Sequence, residues 1–313
     1  MSTTPDIIAG PAIITFDSVT WHTEDDIVVN VAQETWSPNS SRFGQFGKRV
    51  KSLPVGVITF KPCGMITAAL LAKSIIPYTY AQIGTSIFSA ADKPVVIHSV
   101  DGHTYTFKRG GISGVAGGNF GAQATAYDGS ISITVLHGKG TDPAVADNFL
   151  VIAAAAFTDV TFDETKVITP GYTLAYGTTP FAAIESLNGF KVSCPISVAP
   201  IACDRFGTVD MLLSSIGPAE VSVAPAGLTD ANYLTLANCD GTAVRMPGTL
   251  VGSGTTDVVI TGTGLVVTVP KCGVYASGVA FGTVKDRHGQ VTFSNRAVFT
   301  AGVGAAPMSF TVS

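Results

Sequence analysis

A stretch near the amino terminus returns 163 residues further on. Arg42 to Gly64 (RFGQFGKRVKSLPVGVITFKPCG) aligns without a gap on Arg205 to Gly227 (RFGTVDMLLSSIGPAEVSVAPAG), and Arg42, Phe43, Gly44, Ser52, Pro62 and Gly64 recur as Arg205, Phe206, Gly207, Ser215, Pro225 and Gly227. The same offset places Ile27, Val29 and Val31 on Phe190, Val192 and Cys194, and Val95-Val96-Ile97 on Val258-Val259-Ile260. After one deletion, Gly102 meets Gly264 and Gly111 meets Gly273. A register kept over so long a span means one supersecondary plan used twice. A chain of 313 residues has room for two domains of ordinary size. The expected division is residues 1–160 and 161–313, with 141–170 as connector.

Within each copy the apolar runs are short, β-branched and punctuated by Gly, Pro and Asp-Gly, the pattern of an all-β sandwich or barrel. The pattern predicts strands at Ala12–Phe16, Ile27–Ala32, Val55–Lys61, Val95–Ser99, His103–Lys108 and Ser130–Leu136. Their counterparts are Thr173–Tyr176, Phe190–Cys194, Ala219–Ala224, Asp257–Thr261, Leu265–Val269 and Gln290–Phe293. Asp101-Gly102 predicts a two-residue type I′ hairpin turn. Each copy carries one helical stretch after its third strand, Met65–Ser74 and Thr229–Asn238, the second with Thr229 or Asp230 as N-cap. The alanine-rich Asp142–Phe157 reads as a helix, followed by an extended connector to Pro170. The expected class is all-β with short flanking helices.

Charged residues are 13% of the chain against about 25% in an average soluble protein, hydrophobic residues are 46%, and mean hydropathy is +0.39. The longest unbroken apolar run, Phe149–Phe157, is far short of the roughly 20 residues a spanning helix needs. Met1–Gly10 shows no secretory signal pattern, so the protein is expected to be soluble at synthesis. Much of the apolar surface is then expected to meet other subunits. A net charge of −4 and a pI near 5.7 argue against gripping nucleic acid.

Several motifs have a bland reading. Cys63, Cys194, Cys203, Cys239 and Cys272 form no C-x-x-C pair and read as buried free thiols. Gly110, Gly111, Gly114, Gly117, Gly118 and Gly121 lack the Gly-Lys-Ser/Thr of a phosphate loop and the strand–helix setting of a dinucleotide site. They read as a flexible loop or close backbone packing. His98 and His103 flank the Asp101-Gly102 turn without a third ligand. No nucleophile elbow, zinc-protease motif or triad is present, so no enzyme activity and no cofactor are expected.

The opening strand GPAIITFDSVTW (Gly10–Trp21), the Phe-Gly loop SRFGQFGKRV (Ser41–Val50), the return strand, the helix, and the hairpin KPVVIHSVDGHTYTF (Lys93–Phe107) resemble, in order, the tail tube (major tail) proteins of long-tailed bacteriophages. The resemblance runs over nearly the whole chain, once per half, and rests on element order. It implies two tandem copies of a tail-tube-like β-sandwich, whose inner sheets join edge to edge into rings that stack as a hollow tube. With two domains per chain, three copies fill a pseudo-six-fold ring. The implied location is the virion tail, assembled in the bacterial cytoplasm. The implied partners are further copies of the chain and the tape-measure, tail-completion and tail-tip proteins, with DNA passing through the lumen unbound and no membrane contact. The family carries one such domain per chain in its simpler members, so the duplication is a departure.

The resemblance also implies that a long loop reaches the adjacent ring, here Gln33–Pro54 and Ile196–Pro218. The candidate stacking residues are Trp36, Arg42, Phe43, Phe46 and Arg49 in the first loop and Arg205 and Phe206 in the second, an aromatic and arginine composition typical of interface hot spots. A core role for Phe43 and Phe46, or single-strand contact, are the other readings. Glu24, Asp25 and Asp26 form the densest acidic run, either a wall beside the lumen that repels phosphates or a solvated turn. A tail-tip hub ring of the same fold and a tandem β-sandwich host-binding module are the alternative functions.

Overall fold

The computed structural model describes residues 12–45, 47–89, 92–121, 126–138, 148–158, 163–167, 169–204, 206–236, 256–276, 289–295 and 306–313. It is mostly β-sheet with two short α-helices. In chain order the first half contains β1 (Ala12–Phe16), β2 (Val19–His22), β3 (Val28–Ala32), four two-residue strands β4 (Thr35–Trp36), β5 (Asn39–Ser40), β6 (Gly44–Gln45) and β7 (Arg49–Val50), then β8 (Val55–Phe60) and α1 (Ala68–Ile75). It continues with β9 (Val95–Ser99), β10 (His103–Phe107), β11 (Arg109–Gly114), β12 (Gly117–Phe120), β13 (Tyr127–Asp128), β14 (Ile131–Leu136) and β15 (Leu150–Ala154). The second half contains β16 (Thr173–Tyr176), β17 (Glu185–Ser193), β18 (Ile196–Cys203), β19 (Gly207–Ile216), β20 (Glu220–Ala226), α2 (Asp230–Leu236), β21 (Thr256–Gly262), β22 (Leu265–Ala276), β23 (Val291–Asn295) and β24 (Ser309–Val312).

Every strand pairing among the described residues is antiparallel. In the first half one sheet runs β15-β10-β9-β1-β2 and another β11-β14-β8-β3. In the second half the ladders run β24-β22-β21-β16 and β22-β23-β20-β17. The second order follows the first, except that β2 has no counterpart strand among the described residues. A single bent strand, β22, takes the places of β10 and β11, turning at Lys271, which has φ of 53°. Strand alternation explains the layering: in β8 every second residue, Gly56, Ile58 and Phe60, is buried. Ile58, Phe60, Ile131 and Ile133 belong to one hydrophobic cluster with Ile14, Trp21, Val95 and Ile97.

Each helix caps the sandwich at the expected place. Thr67 accepts a hydrogen bond from the Leu70 N–H (3.1 Å) at the start of α1, and Thr229 accepts one from the Asn232 N–H (3.2 Å) at the start of α2. Leu70, Leu71, Ser74 and Ile75 are the buried face of α1. Ser74 is buried because its hydroxyl accepts from Trp21 Nε1 at 3.0 Å. Tyr127 donates its hydroxyl to the Met65 carbonyl at 3.2 Å, and burial pushes its pKa up.

The halves are joined more closely than a boundary at residue 160 implies. β12 and β13 come from the first half but extend the sheet of the second, with Gly118, Asn119 and Phe120 opposite Val192, Lys191 and Phe190 of β17. The hydrophobic cluster also continues through Phe120, Phe190, Val221 and Phe293. The glycine-rich stretch therefore consists of β11, β12 and a close crossing. A Cβ on Gly121, whose φ is 153°, would lie 2.4 Å from the Gly189 Cα.

Three local expectations are corrected. The Asp101-Gly102 hairpin forms, but Ser99 pairs with His103, leaving a three-residue loop in which Gly102 alone has positive φ (82°). That is a tight turn followed by a left-handed glycine. The two-residue turn with both positions left-handed lies elsewhere, at Asp17 and Ser18 (φ 50° and 64°). The alanine-rich segment is not helical over its described part: Leu150–Ala154 pairs with β10, whose edge offers backbone partners to the β-branched Val151 and Ile152. Its earlier residues lie outside those described. Cys194 and Cys272 are buried, with thiols pushed by burial to about 12, but Cys63 is half-buried and Cys203 exposed. Cys239 lies outside the described residues.

Two predictions follow from this packing. Gly121→Ala is expected to destabilise the fold by about 2 kcal/mol through overpacking and backbone strain, read as a lower urea midpoint at unchanged slope. Asp17 receives hydrogen bonds from Lys73 and Lys93. Burial alone raises its carboxyl pKa, but the two ammonium partners outweigh this and hold it below its ordinary value. Its contribution is therefore present above the unfolded value near 3.9 and is lost as pH falls through the lower folded value. Asp17→Asn, which tolerates the left-handed turn, is expected to lower stability by about 1 kcal/mol at pH 7, and the two melting curves should converge in acid.

Candidate functional site

Between β3 and β8 the chain leaves the sandwich as an arm, Gln33 to Pro54. Its sides pair as a narrow hairpin, Thr35 with Val50 and Trp36 with Arg49, then Asn39 with Gln45 and Ser40 with Gly44. At the tip the Ser40 hydroxyl accepts from the Arg42 and Phe43 N–H groups (3.2 and 3.3 Å). At the base Glu34 and Lys51 form an ion pair at 2.9 Å, which raises the Lys51 pKa, and the Ser52 hydroxyl accepts from the Glu34 N–H at 3.0 Å.

The arm's large side chains stand in solvent: Trp36 is 49% exposed, Phe43 72% and Val50 62%. Arg42 lies over the Phe43 ring, 5.1 Å from its centroid, a cation–π contact. Arg49 is exposed at the pairing position of Trp36. Thus Trp36, Arg42, Phe43 and Arg49 share one projecting element, and the folded-down core role for Phe43 does not hold. Phe46 and Arg205 lie outside the described residues.

The second long loop is a different object. Ile196–Cys203 and Gly207–Ile216 form a long hairpin, where composition alone showed a loop. This hairpin is seated on the first half. Gly84 N–H donates to the Leu213 carbonyl (2.8 Å), Leu213 N–H to Thr85 (2.9 Å) and Ile87 N–H to Met211 (2.9 Å), so residues 84–87 act as a third strand. The Leu53 N–H donates to the Phe206 carbonyl at 2.9 Å, which ties Phe206 to the base of the first arm.

Arg109 fixes the seat. Its side chain is 5% exposed, lies 4.6 Å over the Phe88 ring, and donates Nη1 to the Val209 carbonyl at 3.2 Å. Its guanidinium is 3.7 Å from carboxylate oxygens of both Asp92 and Asp210. Asp210 also accepts from the Ser86 hydroxyl at 2.5 Å. Sequence reading missed Arg109 because a single arginine beside a glycine run carries no motif; only the fold brings residues 86–92, 109 and 209–210 together.

The acidic run is a turn between β2 and β3. Glu24 pairs with Lys61 at 2.6 Å and raises its pKa, while Asp25 and Asp26 are exposed. His98 and His103 do not converge, since His98 sits opposite Thr104 and His103 opposite Ser99. Among the described residues no group of three or more His, Cys, Asp or Glu is arranged to hold a metal, and no helix is long and apolar enough to cross a membrane.

The second geometric feature is an edge. β3 pairs with β8 on one side and has no partner strand on the other among the described residues. Val28 and Val31 on it are 47% and 54% exposed. Its counterpart in the strand order, β17, has the equivalent edge covered by β12.

Comparison with protein-family models and with curated proteins gives no match.

Arg109→Met is expected to destabilise the protein by about 2–3 kcal/mol, below the usual loss for a fully buried ion pair because both carboxylates keep some solvent contact. Loss of backbone amide protection at Met211 and Leu213 before global unfolding, measured by hydrogen exchange, checks that the damage is to the hairpin's seat. Phe43→Ala should leave stability within about 0.5 kcal/mol.

Proposed function

We propose that the chain is a structural protein, a protomer of a bacteriophage tail tube, built from two tandem copies of one tail-tube-like domain. Three copies close into a pseudo-six-fold ring, and rings stack around a channel through which DNA passes without specific binding. The protein acts in the virion tail, with tape-measure, completion and tip proteins as its other partners.

The observation that carries this reading is the unequal fate of two equivalent edges. Inside the chain, β17 is completed by β12 from the other half; the matching edge on β3 has no partner strand among the described residues. An exposed edge strand presents unpaired N–H and C=O groups and invites a strand from another chain. One covered and one open edge of the same kind give each molecule a head and a tail, and repeated head-to-tail contacts generate rings or filaments.

The sequence supports a matching donor. Ser113-Gly114-Val115-Ala116, which leads into β12, recurs as Ser277-Gly278-Val279-Ala280, and Phe120-Gly121 recurs as Phe281-Gly282. The low charge and the exposed Trp36, Phe43 and Val50 accord with a surface meant to be covered by further copies.

Electron microscopy of the purified protein tests the reading, with rings or tubes as the expected outcome and a strictly monomeric species at high concentration counting against it. Val31→Lys places a charge on the open edge in the manner natural sheets use to block pairing. It should leave the melting temperature nearly unchanged and abolish rings.

A further inference from the structure

We propose that the arm Gln33–Pro54 docks on the second half of a neighbouring copy within the same ring, rather than serving only to join one ring to the next. The inference rests on the ring reading above and names the surface each neighbour contributes.

The two arms occupy one place in the strand order, between β3 and β8 and between β17 and β20, and share Arg-Phe-Gly at aligned sequence positions. The second arm reaches out of its own half and lies on the half that precedes it. Ser86 bridges to Leu212, residues 84–87 hydrogen-bond along Met211 to Leu213, and Arg109 holds Val209 and Asp210.

The aligned positions show what the first arm lacks. Leu213, at 1% exposure, is the counterpart of Val50, at 62%. Phe206, partly buried with its carbonyl bonded to Leu53, is the counterpart of Phe43, at 72%. One arm is seated and the other, of the same origin, projects apolar side chains into water. Among the described residues the first arm has no seat like the one that residues 84–87 give the second. A second copy supplies one.

The pairing registers locate the seat. Ile112 faces Ile133 in β14, and Val274 faces Phe293 in β23, each across the equivalent ladder. Three residues earlier in each strand stand Arg109 and Lys271. Lys271 to Val274 of the neighbour is therefore the counterpart of the Arg109 to Ile112 floor on which the second arm rests. Each molecule gives one arm and receives one, which adds a second joint beside the β3 edge between the same two copies.

Crosslinking tests this. Lys48 is the counterpart of Met211 and is exposed. Lys48→Cys and Lys271→Cys are combined with Cys203→Ser, which removes the thiol that is exposed among the described residues, and treated with a short bis-maleimide under conditions that hold the protein as single rings by sedimentation. The expected result is covalent dimers and trimers on a denaturing gel. Peptides joining positions 48 and 271 should come from differently isotope-labelled chains. Rings that form without this linkage, or linkage found only in stacked tubes, overturn the docking and leave the ring intact. A variant and parent that both stay monomeric overturn the ring reading and the docking with it. Val50→Asp supplies an independent measure: an unchanged melt with at least a tenfold rise in the concentration needed for assembly is expected, and an unchanged assembly threshold counts against the docking.

Discussion

The backbone of a sheet edge has to find hydrogen-bond partners, and most of this molecule is organised by that demand. Open antiparallel sheets that do not close into barrels leave exposed edges. The chain closes several of them internally: β12 completes β17, residues 84–87 complete β19, and the Lys93 carbonyl accepts from Gly110 beside β11. The first two of these closures also join one half to the other. The bonds that satisfy those edges therefore also link the two parts of the chain, and the shared hydrophobic cluster accompanies the meeting of their sheets.

Charge is used sparingly, and where it is buried it marks a joint. Arg109 spends its guanidinium on a carbonyl, an aromatic face and two carboxylates that come from separated parts of the chain. Taking such a charge out of water is unfavourable unless many partners converge on it, which makes the site specific for one seating of the hairpin. Asp17 does similar work between the β1–β2 turn, α1 through Lys73, and the approach to β9 through Lys93. Arg109 ties β11 to the hairpin and Asp17 ties α1 to the β1–β2 turn, contacts that no backbone ladder supplies among the described residues.

How much of this was legible depended on whether a residue's partner is local. The alternation of Val55–Phe60, the β-branched run Val95–Ser99 and the cap at Thr229 are local signals, and those elements stand where their residues place them. β11 and β12 carry Gly110, Gly111, Gly114, Gly117 and Gly118, and glycine contributes no side-chain pattern, so strands made of it look like loop. The hairpin β18–β19 contains Pro200, which argues against a strand in isolation, and its pairing depends on residues 84–87 more than a hundred positions away. Leu150–Ala154 was misread because alanine favours helix when no strand edge is near; the edge of β10 decides otherwise. In the candidate site, the aromatic and basic makeup of the first arm was plain from sequence, while the contrast between a free arm and a seated one was invisible without the fold.

In the proposed rings, that contrast would bear on ring size. If the joint between neighbouring molecules copies the joint between the halves, every step around the ring is one operation, repeated alternately within and between chains. The rotation carrying the first half onto the second then fixes how many halves close a circle, and the copy number is half of that. A rotation near one sixth of a turn closes with three chains. A different rotation closes with another number, or, with a translation along the axis, winds into a helix. The geometry of a single chain would in that case already contain the symmetry of its assembly, because nothing distinguishes the inner joint from the outer one except the peptide that links the halves.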